Sequence, residues 1–64
     1  MKVHPAAKHI MKADLAIRPQ NEVIIVDQKG NLVAVGKAVL SGYEMLSFKL
    51  GVAVKVRRGV NENN

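Results

Sequence analysis

Three features of this sequence predict a small mixed α+β fold that is mainly β. An apolar run at 22–27 is followed by a turn and a second apolar run at 32–40, the pattern of a hairpin. Ser41 and Glu44 are spaced as a capping box, which opens a short helix. Val52, Val54 and Val56 alternate with Ala53, Lys55 and Arg57, the period of a strand with one covered face.

Residues 1–13 read as a short helix. Pro5 suits the first helical position, where its missing N–H costs nothing, and Ala6, Ala7, Ile10, Met11 and Ala13 give an apolar face at helical spacing. Lys8 and Lys12 then share the opposite side, with His9 beside them. Residues 14–21 connect, with Leu15 and Ile17 plugging the core and Pro19 preset for the second position of a turn over 18–21.

The run at 22–27 is apolar on both faces, so its strand is expected to be central rather than at an edge. Gly30 supplies a positive φ in the following turn. Gly36, inside the second strand, suggests a bulge or bend that curls the sheet towards a barrel. The helix opened by Ser41 is expected to run to about Leu50, packing through Met45, Leu46, Phe48 and Leu50. Gly51 then ends it in the left-handed cap position. On the final strand the three valines face the core and Lys55 and Arg57 face solvent, with Arg58 just beyond. Residues 61–64 are an expected frayed polar tail after one domain over 1–60.

With 64 residues and no cysteine, the chain has room for one small core and no disulfide to reinforce it. Ten Lys and Arg against five Asp and Glu give a net charge of +5, which favours a polyanionic partner. No apolar run approaches the roughly 18 residues that span a bilayer. No signal peptide is visible, so a cytoplasmic setting without membrane attachment is expected. Tyr43 and Phe48 are the only aromatic residues, too few for a platform that stacks single-stranded bases. His4 and His9 are five apart with no third ligand in view, so no metal or cofactor is expected. The carboxylates are scattered at element ends, and no acid, base and nucleophile converge, so the chain is not read as an enzyme.

The run Asp14-Leu15-Ala16-Ile17-Arg18-Pro19-Gln20-Asn21-Glu22-Val23, then Leu32-Val33-Ala34-Val35-Gly36-Lys37-Ala38, Ser41 with Glu44-Met45, and Lys49-Leu50-Gly51-Val52-Ala53-Val54-Lys55-Val56-Arg57 together resemble a PUA domain. They are most similar to the C-terminal PUA domain of archaeal, archaeosine-forming tRNA-guanine transglycosylases and related proteins. The resemblance implies a PUA-like pseudobarrel that binds structured RNA, above all the acceptor-stem end of tRNA, as an accessory to tRNA modification. It places the RNA surface on the first helix with its following loop and on the last strand. Carried onto this sequence, that surface holds Lys8, His9, Lys12, Lys55, Arg57 and Arg58.

The strand and glycine with which the family usually opens have no evident counterpart in 1–5, so the first strand is expected to be missing. The edge left open would be covered by a second copy or a catalytic subunit, unless the chain has simply been shortened. Two other readings share the charge and size. One is a protein-interaction or oligomerisation domain whose cations serve solubility and guard a strand edge. The other is a small DNA-binding β-protein.

Overall fold

The computed structural model of the chain describes residues 1–60. Five strands form one sheet in the order β2-β1-β3-β4-β5. They are β1 (Lys2–Ala6), β2 (His9–Ala13), β3 (Glu22–Val26), β4 (Leu32–Ala38) and β5 (Val54–Gly59), with helices α1 (Gly42–Met45) and α2 (Leu50–Ala53) between the last two. All neighbouring pairs are antiparallel except β1 with β3, which run parallel. The mainly β fold with two short helices is as expected, and β3 takes the predicted central place. No helix among the described residues is long and apolar enough to cross a membrane. The tail expected at 61–64 lies outside the described residues.

The amino-terminal helix is not formed. Residues 1–13 make the β1–β2 hairpin instead, turning at Ala7 and Lys8, both with positive φ (50° and 73°). Positive φ at both central residues is what a type I′ two-residue hairpin turn requires. Pro5 sits where the β1–β2 register slips, leaving Met11 as an extra residue on β2. A proline is tolerated at such a bulge because the ladder there does not need its N–H. Strands therefore occupy the segment where the opening strand had been expected to be missing. β1 pairs with β3 through Lys2 and Val3.

The carboxyl-terminal valine stripe also needs correction. Val52 belongs to α2 and is 53% exposed, and Val56 is 45% exposed; only Val54, at 1%, is buried, next to buried Ala53. Gly51 lies inside α2 and is not in the left-handed region, so it is not the helix terminator expected. The first helix ends earlier, at Leu46, leaving Leu46 and Phe48 exposed while Met45 is fully buried. Its capping box is formed: the Glu44 N–H donates to Ser41 Oγ at 3.2 Å, and the Ser41 N–H donates to Glu44 Oε1 at 3.1 Å. Ile17 plugs the core as expected, but Leu15 is exposed.

Each antiparallel pair contains one bulge, with Met11, Val33 and Arg57 as the extra residues. Bulges bend a strand and increase its twist. Here they curl the sheet around a core that includes Val3, Ile10, Ile17, Val23, Ile25, Met45 and Val54. Gly36 lies at the β4–β5 bulge, as its position in the strand suggests. A Cβ there would meet the Lys55 carbonyl oxygen at 2.5 Å and Val54 Cγ1 at 2.9 Å, so the close approach of β5 depends on glycine.

Curling brings the edge of β2 to the chain between the helices. His9 bridges to Lys49, the Leu50 N–H donates to the Lys8 carbonyl at 2.7 Å, and the Ile10 N–H donates to the Phe48 carbonyl at 3.3 Å. The start of the edge expected to need a second copy is thus paired within the chain, at His9 and Ile10. The remaining sheet edge is β5, which carries Lys55, Arg57 and Arg58 and a bulge. Charges and bulges of this kind discourage edge-to-edge pairing.

Candidate nucleic-acid interface

Side chains of directly opposed residues in a sheet lie on the same face. Ala34, Gly36 and Ala38 of β4 are buried, so Val33, Val35 and Lys37 point outward. Lys37 is opposed by Glu22 on β3 and by Lys55 on β5. The outer face therefore carries a row Glu22–Lys37–Lys55. Val35 is opposed by Arg58, which puts that arginine on the same face. Arg57, the extra residue of the bulge, places its guanidinium on the Glu22 carboxylate. Among the described residues, four cations, Lys37, Lys55, Arg57 and Arg58, thus share one face with one carboxylate.

Two like charges directly opposed across strands repel by a few tenths of a kcal/mol, up to about 1 kcal/mol. The Lys37–Lys55 pair is held against that repulsion by backbone pairing and by the buried Ala38–Val54 pair beside it. Among the described residues, Arg57–Glu22 is the single ion pair.

The other described carboxylates serve local structure. Asp14 Oδ1 accepts the Ala16 N–H at 2.9 Å. Asp27 accepts the N–H groups of Lys29 and Asn31, and Glu44 completes the capping box. Bonds from the Asn31 backbone lower the Asp27 pKa below its ordinary value of 3.8, and those from Ser41 lower the Glu44 pKa below 4.5. Both groups remain charged acceptors fixed in their turns, away from the β4–β5 row.

All six residues expected to face RNA are exposed. They do not form one cluster. Lys55, Arg57 and Arg58 are on β5, while Lys12 is on β2, with β1, β3 and β4 between them. Lys8, expected on a helix face beside Lys12, is at the tip of the hairpin turn, with its backbone bound to the start of α2. His9 is opposed by Ala6 and bridges to Lys49, and Lys12 is opposed by His4. The amino-terminal candidates thus divide: Lys8 and His9 lie near α2 beside Lys49, and Lys12 is opposed by His4 on the outer face.

Sequence reasoning passed over Lys37 and Lys49. Lys37 could have been found from the hairpin register, since buried small residues on both sides of it force it outward. Lys49 is brought to His9 by closure of the sheet, which no local pattern shows. No group of three or more His, Cys, Asp or Glu that could hold a metal occurs among the described residues. The arrangement offers charge and hydrogen-bond donors on a rigid outer face, suited to holding phosphates.

The sequence matches the family model for the PUA domain over residues 6–60. The chain belongs to the PUA family. Curated relatives of this PUA domain include the tRNA-guanine(15) transglycosylases of Pyrococcus abyssi, 51% identical over 86% of this chain, and of Pyrococcus furiosus, 54% identical over 88%. The chain spans only 9% and 10% of those two proteins, and the similarity is to their C-terminal PUA domain. Among solved structures, a hypothetical protein of Pyrococcus horikoshii superposes with a TM-score of 0.78 at 28% identity, covering 95% of this PUA domain and 44% of that chain.

Proposed function

We propose that this PUA domain is an RNA-binding module for structured RNA, most of all the acceptor-stem end of tRNA, and that it acts as an accessory to a tRNA-modifying catalytic subunit in the cytoplasm. Chemistry is left to that partner. The observation that carries the reading is the outer face of β4 and β5, where, among the described residues, four cations meet a single carboxylate on a strand pair fixed by close packing at Gly36. The names of the relatives support tRNA as the RNA. Contacts would go to phosphates and 2′-hydroxyls, because helical RNA is recognised mostly by shape.

The test is a fluorescence anisotropy titration with tRNA, and with duplex DNA as the control, over a series of salt concentrations. The wild-type chain is expected to prefer tRNA at physiological salt. Lys55→Ala with Arg57→Ala should weaken tRNA binding and flatten the log–log salt slope by about 0.7–0.9, the one phosphate contact of Lys55, since Glu22 holds the Arg57 guanidinium. Full tRNA affinity in a double mutant that melts like the parent would remove this face from the interface.

A further inference from the structure

We infer that the outer face of β1 and β2 carries a second phosphate-binding site, formed by Lys2, His4 and Lys12, which takes a phosphodiester of the same RNA on its far strand. The inference rests on the RNA-binding reading above. His4 and Lys12 are directly opposed on the outer face, since the neighbouring pair Val3–Ala13 faces the core. Lys2, two residues before His4, points the same way. These three side chains line one open depression with Met1, Ala13 and Asp14. The depression also holds one carboxylate, Asp14, whose Oδ1 accepts the Ala16 N–H at 2.9 Å. Neither lysine has a carboxylate partner among the described residues.

The position of this site relative to β5 points to one ligand spanning both. Lys2 is opposed by Ile24, Ile24 by Val35, and Val35 by Arg58. One continuous cross-strand row therefore has a cation at each end and two apolar side chains between. Three strand spacings separate the ends by about 14 Å along the curled sheet. A single phosphate chain lying across the row would find no cation over its middle. Two phosphate chains with a shallow floor between them, apolar at Ile24 and Val35 and flanked by the Glu22–Lys37 pair, would fit. The minor groove of helical RNA has that form: it is wide and shallow, with ribose hydroxyls and base edges at its floor. The outer face of a sheet closed around its core is convex, which also suits a shallow groove.

The experiment measures salt dependence of binding to an RNA stem-loop for the parent chain, for Lys2→Gln with Lys12→Gln, and for Lys55→Ala with Arg57→Ala. Thermal melts of each serve as the folding control. The Lys2/Lys12 variant is expected to melt like the parent and to lower the slope by about 1.4–1.8, two contacts at 0.7–0.9 each. An unchanged slope in that variant, with a lowered slope in the β5 variant, overturns the second site and leaves the RNA reading standing. A lowered slope only in the Lys2/Lys12 variant keeps the second site and removes the β5 face. Unchanged slopes in both overturn both. Lys2→Met with Lys12→Met keeps the aliphatic stems and repeats the test if the glutamine pair melts early.

Discussion

Replacing Glu22 by Gln should tighten RNA binding, although it removes the one ion pair among the described residues. Glu22 is the only carboxylate in the row with Lys37 and Lys55, and it holds the Arg57 guanidinium. Both side chains of the pair are 56% exposed. An exposed pair of this kind stabilises a fold by about 0–1 kcal/mol. Leaving Lys37 opposite Lys55 without a nearby anion adds a few tenths of a kcal/mol of repulsion. The expected loss of stability is therefore about 1 kcal/mol at most, or roughly 4–8 °C in Tm for a domain of this size.

The effect on binding has the opposite sign. A phosphate seated on Lys55 lies roughly 8 Å from the Glu22 carboxylate, taking two strand spacings less the reach of the side chains. Repulsion at that distance is about 0.5 kcal/mol at the dielectric constant of water and about 2 kcal/mol at an effective value of 20. Physiological salt reduces both roughly threefold, since the distance is about one Debye length. The net gain is about 0.2–0.7 kcal/mol, a factor of roughly 1.4 to 3 in affinity. Arg57, released to meet a phosphate, should also steepen the salt slope by about 0.7–0.9. Anisotropy titrations at several salt concentrations read both quantities, and Arg57→Gln in the Glu22→Gln background should cancel the change in slope. If Glu22→Gln binds RNA no better than the parent while remaining folded, the outer face of β4 and β5 does not meet the phosphates.

Two further outcomes follow from backbone conformation and from titration. Gln20, Ala7 and Lys8 all hold positive φ, at 81°, 50° and 73°, a region unfavourable for residues with a Cβ by about 1–2 kcal/mol. Gln20→Gly, and separately Ala7→Asn with Lys8→Gly, should each stabilise by about 0.5–1 kcal/mol in urea melts, after allowing for the greater freedom of glycine in the unfolded chain. In acid, the folded pKa values of Asp27 and Glu44 lie below their ordinary 3.8 and 4.5. Their stabilisation is therefore fully present above those ordinary values and is lost as pH falls through the lowered folded ones. Asp27→Ala and Glu44→Ala should cost stability at neutral pH, and the difference from the parent should shrink as urea melts are taken to lower pH.

Much of the fold was legible where local chemistry and tertiary packing agree. The turn at 18–21 forms with Asn21 N–H bonded to the Arg18 carbonyl, Gly30 has φ 86°, and the capping box closes on Ser41. The amino-terminal hairpin was not legible, because two signals misled together. Ala7-Lys8 lacks the Asn or Gly that marks such a turn. The extra residue at Met11 also breaks the alternation of β2, so that Ala6, Ala7, Ile10, Met11 and Ala13 fall at helical spacing. The valine stripe failed for a related reason. The short turn of α2 takes up Leu50–Ala53, so Val52 never joins the strand, and alternation begins only at Val54. For the site, exposure of the six candidate residues was readable from their polar side chains alone. Their grouping was not, because it depends on strand order and on the closure that brings Lys49 to His9.

The bulge in β5 links backbone register to the charge pattern. Strict alternation would place Arg57 outward and Arg58 inward, where a buried, unpaired guanidinium would be costly. One extra residue resets the alternation. Arg58 is then opposed by Val35 on the outer face, while Arg57 reaches Glu22 on that same face. The reset requires β5 to approach β4 more closely than a side chain at position 36 would allow, since the Lys55 carbonyl oxygen lies where a Cβ would go. A small residue inside an apolar strand thus determines the charge pattern on the opposite side of the sheet. Lys55, Arg57 and Arg58 are placed together by Gly36 and the register it permits, and any change that straightens β5 should disperse them even with every cation retained.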